Sequence, residues 1–413
     1  IENAQFSFEG IVVAKVTSTE PHPDANRLKI AKVYDGKEEH TVVCGGANCR
    51  PDLLVAFAPV GSTLKEGNGK AFTIRKAKLR GVESFGMLCG ADELQLTKKA
   101  SEGILELPDN APIGADLAQY LYDPIVEVSL TPNLGHAASI LGIARELSAQ
   151  LQVPYTLPSS PVESESDTPI PVSCSIGDSH GCSQYHLRMV KGVKVAPSPD
   201  WMRDRLEKSG FGCVNNIVDT INYVMMETGQ PMHAFDLNRL PHRKINVKKS
   251  LKPFKMPLLD GNEKEIKEGT LLIYDADEPI AIAGVMGGES TAINESTADI
   301  VIEAAQFDPS VVRASAKQNN VRSDSSYRFE RGIDPNGVRR ALDRAAELIQ
   351  KVAGGVPSKE CVSAVSAPFR TKQIDLRITQ IERLIGIHLS ESEVADLLER
   401  LECEIKGKDS GVL

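Results

Sequence analysis

Val153–Pro171 reads VPYTLPSSPVESESDTPIP, and the pattern of the chain changes on either side of it. Proline, serine and acids dominate this run and leave little to bury, so composition makes it a linker. Upstream, the first 120 or so residues read as all-β. GIVVAKV, RLKIAKVYDG, HTVVCGG and LLVAFAPVG are short β-branched runs, each closed by Gly, Asn, Pro or Asp. Several such strands in that length predict a small barrel, of which oligonucleotide-binding barrels are one common outcome. Between barrel and linker, Ile140, Ile143, Leu147 and Leu151 recur at helical spacing and predict an amphipathic helix.

Downstream, strand-like runs (HLRMVKGVKV, TLLIYDA, PIAIAGVMGG, DIVIEAA) alternate with helices. Ser198 with Pro199, and Asp308 with Pro309, read as helix starts, and Gly354 and Gly355 as a helix end. A mixed α+β domain is expected over residues 172–366. Two further helices, the second opened by a Ser390/Glu393 capping box, suggest a helix-turn-helix or the start of a winged-helix-like module over 367–413. The fold class expected is therefore multidomain α+β: barrel 1–120, connecting strand and helix 121–153, linker 154–171, α+β domain, and helical module.

The chain has 413 residues and a net charge of −9, which disfavours a general nucleic-acid coat. No apolar run is long enough to cross a membrane and no leader is evident, so a cytoplasmic protein without a membrane partner is expected. Its eight cysteines are scattered. Cys44 and Cys49 form C-x4-C, but no fourth ligand follows at matching spacing, so they read as buried thiols and no metal site is expected. From Gly69 to Arg80, GKAFTIRKAKLR holds five basic residues and no acid. It is either a solvated strand face or a phosphate contact.

Nucleophile elbow, P-loop, dinucleotide fingerprint and HExxH are all missing. What remains is polar residues at strand ends and glycine turns. His233 follows Pro231, whose fixed φ predicts that a loop holds the imidazole. Glu303 shares a strand face with Val301, while Ile300 and Ile302 take the other, so its carboxyl faces either a pocket or solvent. Gly284, Gly287 and Gly288 permit close backbone approach, as a cleft or an ordinary turn does. RFERG reads most simply as an ion-pair network.

Taken in order, HPDANRLKIAKV, VCGGANCR, KAKLRGVESFGMLC and ELPDNAPIG resemble the tRNA-binding barrel of the bacterial phenylalanyl-tRNA synthetase beta subunit. SLTPN with LGIARELSAQL, VDTINYVMMETGQPMHAFD, GVMGGE and SSYRFERGIDP resemble its central editing domain. The resemblance covers nearly the whole chain and implies an N-terminal portion lacking the synthetase-like C-terminal half. It implies an alpha subunit partner in a heterotetramer of two alpha and two beta chains, with ATP and magnesium used by the complete enzyme and no cofactor held by this portion. For this portion it implies binding of phenylalanine tRNA and hydrolysis of tyrosine misattached to it. A hydrophobic synthetic site rejects an isostere bearing one added hydroxyl by only about 10²-fold, which makes a second sieve necessary.

In this reading Glu303 holds the tyrosine hydroxyl and His233 positions the attacking water or terminal ribose. Asn222, Gly284, Gly287 and Ser325 fall at or beside the family's pocket. Peptide N–H groups near Gly287 and Gly288 are candidates for an oxyanion hole. Lys76, Lys78 and Arg80 become candidate tRNA contacts. Two departures stand out: Ile221 where the family has threonine, with Thr220 expected on the opposite strand face, and Leu134 where it has arginine. The first keeps open an alternative, an anchoring and assembly subunit with a decayed editing pocket.

Overall fold

The computed structural model describes residues 6–65, 70–97, 100–158, 162, 164–407 and 412. Gly69, part of the Ser159–Glu163 run and Leu413 fall outside these. The chain divides into two compact units, Ile1–Val128 and Ser129–Leu413.

Among its described residues the first unit is built mainly from strands. Its main sheet runs Gly86–Leu88, Leu54–Pro59, Val12–His22, Ala25–Tyr34, Glu39–Cys44, every neighbour antiparallel. Inward β-branched residues such as Val13, Val16, Val33, Val42 and Val55 are buried, as their alternation requires. Cys44 and Cys49 lie in that core as free thiols.

Among its described residues the second unit contains two large sheets and the two-stranded pair Phe254–Pro257/Glu263–Ile266. One is antiparallel and ordered Met232–Asp236, Asp299–Phe307, Cys182–Lys191, Val356–Pro357. The other runs Ser173–Ile176, Lys244–Lys249, Leu271–Asp275, Glu278–Ile282, Met286–Gly287, with only the first pair parallel. Tyr185, Leu187, Val301 and Phe307 from the first sheet share one core with Val247, Ile273 and Ile282 from the second. On the first sheet's opposite face, Ile300, Ile302 and Ala304 pack against helices Asn216–Thr228 and Val338–Ala353. Strand Asp299–Phe307 is therefore covered on both faces, which explains its nearly unbroken apolar run.

Several expectations shift. The proline-serine-acid run is no boundary between compact units, for both its ends lie inside the second unit. Glu165 bonds the buried Arg188 at 2.6 Å, and Ser166 forms a bridge with Ser358. Polar residues there serve as hydrogen-bonding edges, which composition does not distinguish from solvated linker. Asp219–Tyr223, read as a strand end, lies in helix Asn216–Thr228: the Asn215 side chain accepts from the Ile217 and Val218 N–H groups, and Gly229 closes it at φ +82°. Helix Asp200–Lys208 is capped at Pro199, one residue later than expected, because the Ser198 hydroxyl donates to Asp219 at 2.5 Å instead. Asp308 caps Pro309–Gln318, and Ser390 with Glu393 forms the capping box of Glu391–Arg400, both as read from the sequence.

Candidate active site

Strand Met232–Asp236 lies at the edge of its sheet, where Pro231, lacking an N–H, can precede it. This places His233 on a strand and not on a loop. Its antiparallel partner is Asp299–Phe307, and the register sets His233 directly opposite Glu303. Directly paired residues share a face with Cβ atoms about 5 Å apart. Pairing alone therefore brings the two residues side by side in the space between the sheets, from positions seventy residues apart in the chain.

Both are sheltered from water. Glu303 is 5% exposed, and burial lifts its carboxyl to about 8. The His233 side chain is half-buried, but its Nε2 is sequestered and has no hydrogen-bond partner. Burial lowers its imidazole to about 4. At neutral pH the pair is thus a protonated carboxyl beside an uncharged imidazole, and neither charge is present to be compensated. Phe235 packs edge-on against the His233 ring at 4.6 Å and fixes its plane. A buried polar atom without a partner calls for an explanation, and two more lie close by in the fold. The Tyr185 hydroxyl is unpartnered on the same sheet face, two residue pairs along from Glu303, with Tyr185 opposite Ala305. The Gln230 Oε1 is unpartnered, while its amide donates to the Pro231 and Ala305 carbonyls.

A cavity of about 50 Å³ is lined by His233, Glu303, Gly284, Gly287, Ser325 and Met286, among others. Gly287 has to be glycine: a Cβ there would sit 2.7 Å from His233 Cε1 and 3.0 Å from Nε2. Gly284 has φ +68°, and a Cβ would meet Phe307, Phe329 and Val312 at 2.9–3.0 Å. Ser325 comes from helix Asp324–Phe329, whose N-cap Ser323 donates to the Val285 carbonyl at 2.6 Å and ties helix to glycine turn.

Two expected residues do not join them. Gly288 donates its N–H to the Ile280 carbonyl at 2.8 Å, so that group is not free for an oxyanion. Asn222 is half-exposed on helix Asn216–Thr228 and does not line the cavity. Because this segment is helical, the strand argument about Thr220 and Ile221 fails. Thr220 bonds back to the Asn216 carbonyl, and Ile221 sits in the helix-side core, across the sheet from Glu303. Sequence reasoning missed Met286, Phe307 and Phe329 in the cavity wall, and Tyr185 in the core beside Glu303, for which the alternation of QYHLRMV was the available signal.

In the first unit, Lys76, Lys78 and Arg80 gather at the hairpin Ala77–Leu79/Val82–Ser84. Lys76 pairs with Glu83 at 2.9 Å and lies over the Phe85 ring, and Lys78 stands opposite Glu83. Arg80 takes φ +45° at the turn and donates to the Asp24 carbonyl. Glu83 follows the acid-free stretch in sequence, and only strand pairing reveals it as partner. Among the described residues no group of three or more His, Cys, Asp or Glu is placed to hold a metal ion. None of the described helices is long and apolar enough to cross a membrane.

Comparison with known proteins adds to this. A family model described as "B3/4 domain" matches residues 181–354, and one described as "Putative tRNA binding domain" matches residues 11–116. The phenylalanine-tRNA ligase beta subunit of Protochlamydia amoebophila is 45% identical over 95% of this chain and 49% of its own length. That of Hahella chejuensis is 43% identical over 95% of this chain and 50% of its own. The resemblance carried by the motifs is borne out, and the chain spans about half the length of the curated relatives it matches. A solved N-terminal fragment of the phenylalanyl-tRNA synthetase beta subunit from Pyrococcus horikoshii matches at 15% identity over 69% of this chain and 78% of that chain. Its TM-score of 0.32 is too low to bear on the fold.

Proposed function

We propose that this chain is the tRNA-binding and proofreading portion of a phenylalanine-tRNA ligase beta subunit, which hydrolyses tyrosine misattached to phenylalanine tRNA. The observation that carries the reading is the direct cross-strand pairing of His233 with Glu303 beside Gly287. Glu303, protonated at neutral pH, donates to or accepts from the phenol hydroxyl. Phenylalanine would leave that buried group unpaired, and the resulting penalty is what rejects it. His233, uncharged and with Nε2 unpartnered, accepts a hydrogen bond from the attacking water and orients it toward the ester carbonyl; the water oxygen bonds the carbonyl carbon, the ester C–O bond breaks, and the water's proton passes to the departing ribose oxygen. No covalent nucleophile takes part. The cavity of about 50 Å³ is far below the roughly 300 Å³ of ordinary ligand pockets, so the substrate enters by displacing flexible lining such as Met286.

The first unit is read as an oligonucleotide-binding barrel that holds tRNA through Lys76, Lys78 and Arg80, and the C-terminal helices as the start of a winged-helix-like module. Ligation with ATP and magnesium belongs to an alpha subunit, paired with this chain in a heterotetramer in the cytoplasm. Against the alternative of an anchoring subunit with a decayed pocket stands the place of Ile221, which removes no hydroxyl from the cavity. The test is deacylation of tyrosyl- against phenylalanyl-tRNA by the full-length protein. Selective loss of the tyrosyl ester, reduced about 10²-fold or more in His233→Ala and Glu303→Ala, is expected. A tyrosyl ester as long-lived with wild type as in buffer refutes it.

A further inference from the structure

Helix Asp324–Phe329 has two working faces. Ser325 and Phe329, one turn apart, line the cavity. Asp324, Ser326 and Tyr327 line a separate groove of about 860 Å³ within the same unit. The far wall of that groove is helix Pro309–Gln318, and Pro132 closes one edge. The segment after Pro132 is held tightly, since a Cβ on Gly135 would sit 2.5 Å from the Arg331 carbonyl oxygen.

The groove is cationic in a chain of net charge −9. Arg313, Lys317, Arg322 and Arg331 line it against the carboxylates of Asp324 and Glu330. Those two acids are already engaged, by Arg328 and by Arg331. Arg313, Lys317 and Arg322 are exposed and pair with no carboxylate among the described residues. Arg313 and Lys317 are also like charges at i,i+4 on one helix, an arrangement that disfavours the helix unless an anion lies between them. At the groove wall the Arg331 guanidinium stacks 3.6 Å from the Tyr327 ring centroid. A flat cation on an aromatic, beside unpaired point charges, is the chemistry that receives a stacked base and its phosphates.

We infer that this groove binds the single-stranded 3′ end of the RNA, its phosphates on Arg313, Lys317 and Arg322 and a base against Tyr327 and Arg331, and so presents the terminal ester to the cavity across the helix. The delivery step rests on the proofreading reading; RNA binding by the groove does not.

The experiment uses the full-length protein, purified with its partner subunit, and a minihelix carrying an acceptor stem with a free CCA end. Binding is measured against salt for wild type and for the triple variant Arg313→Gln/Lys317→Gln/Arg322→Gln, with thermal melting as the check on folding. Three lost phosphate contacts are expected to weaken binding about ten- to hundred-fold and to reduce the log–log salt slope by about 2. KM for tyrosyl-tRNA hydrolysis rises with it, while kcat is nearly kept. If affinity and slope are unchanged in a folded variant, the groove is not an RNA site. If the variant binds RNA normally but loses its partner subunit, the groove is a protein interface and the inference is equally overturned. Should wild type hydrolyse no tyrosyl ester, the proofreading reading falls, and the binding arm still judges the groove.

Discussion

Strand Asp299–Phe307 and helix Ile140–Leu151 were both legible from periodicity, yet they meet opposite fates. Every residue of the strand from Ile300 to Ala305 is buried, Glu303 included. The helix forms where expected, capped by Ser139, but Ile140, Leu147 and Leu151 are 61%, 48% and 64% exposed. Its buried positions are the small Gly142 and Ala149. Periodicity reports which residues share a face. It does not report whether anything covers that face, because the cover comes from residues distant in sequence.

The comparison breaks most readily at its buried end. Ile302→Ala, deep between sheet and helices, is expected to lower unfolding free energy by about 2–5 kcal/mol in denaturant titration. A loss below about 1 kcal/mol would mean that the strand is less tightly packed than its zero exposure indicates.

Next is the buried carboxyl itself. Glu303 sits at about 8 when folded against 4.5 ordinarily, because burial penalises its anion. The folded state therefore holds its proton longer than the unfolded one. Stability from this group is full below 4.5 and is lost as pH rises toward 8. Glu303→Gln, which cannot ionise, should gain on wild type by on the order of 3 kcal/mol between pH 4.5 and about pH 7. His233, lowered to about 4, acts in the other direction and costs stability as pH falls from 6.5. A difference between Glu303→Gln and wild type that stays constant with pH would place the carboxyl in water.

Smaller still is Gly284→Ala. The left-handed backbone and the three side chains at 2.9–3.0 Å predict a loss of about 2 kcal/mol, read as a lowered melting temperature. Smallest is Leu147→Ala, whose open side chain predicts a change within about 0.5 kcal/mol. A loss of 2 kcal/mol there would show the helix stripe to be covered in solution.

Much of the candidate site was visible as residue types in motifs, and five of its members, His233, Glu303, Gly284, Gly287 and Ser325, do line one cavity. Asn222 and Gly288 fail for local reasons that single-residue matching misses: a helix turns the first away, and a strand bond occupies the second N–H. Helix Asn216–Thr228 was itself readable, since Ile217, Thr220, Ile221 and Val224 recur at helical spacing between an Asn cap and a Gly end.

The sequence by itself determined the alternation of strands and most helix caps, because each depends on residues within a turn or two of one another. Only the tertiary structure decided that Glu303 faces a cavity, that His233 is its neighbour, and that Phe307, Phe329 and Val312 crowd Gly284. Those facts rest on strand register and helix packing between distant segments. They also set which charges are buried, and burial, more than residue type, moves the Glu303 and His233 protons.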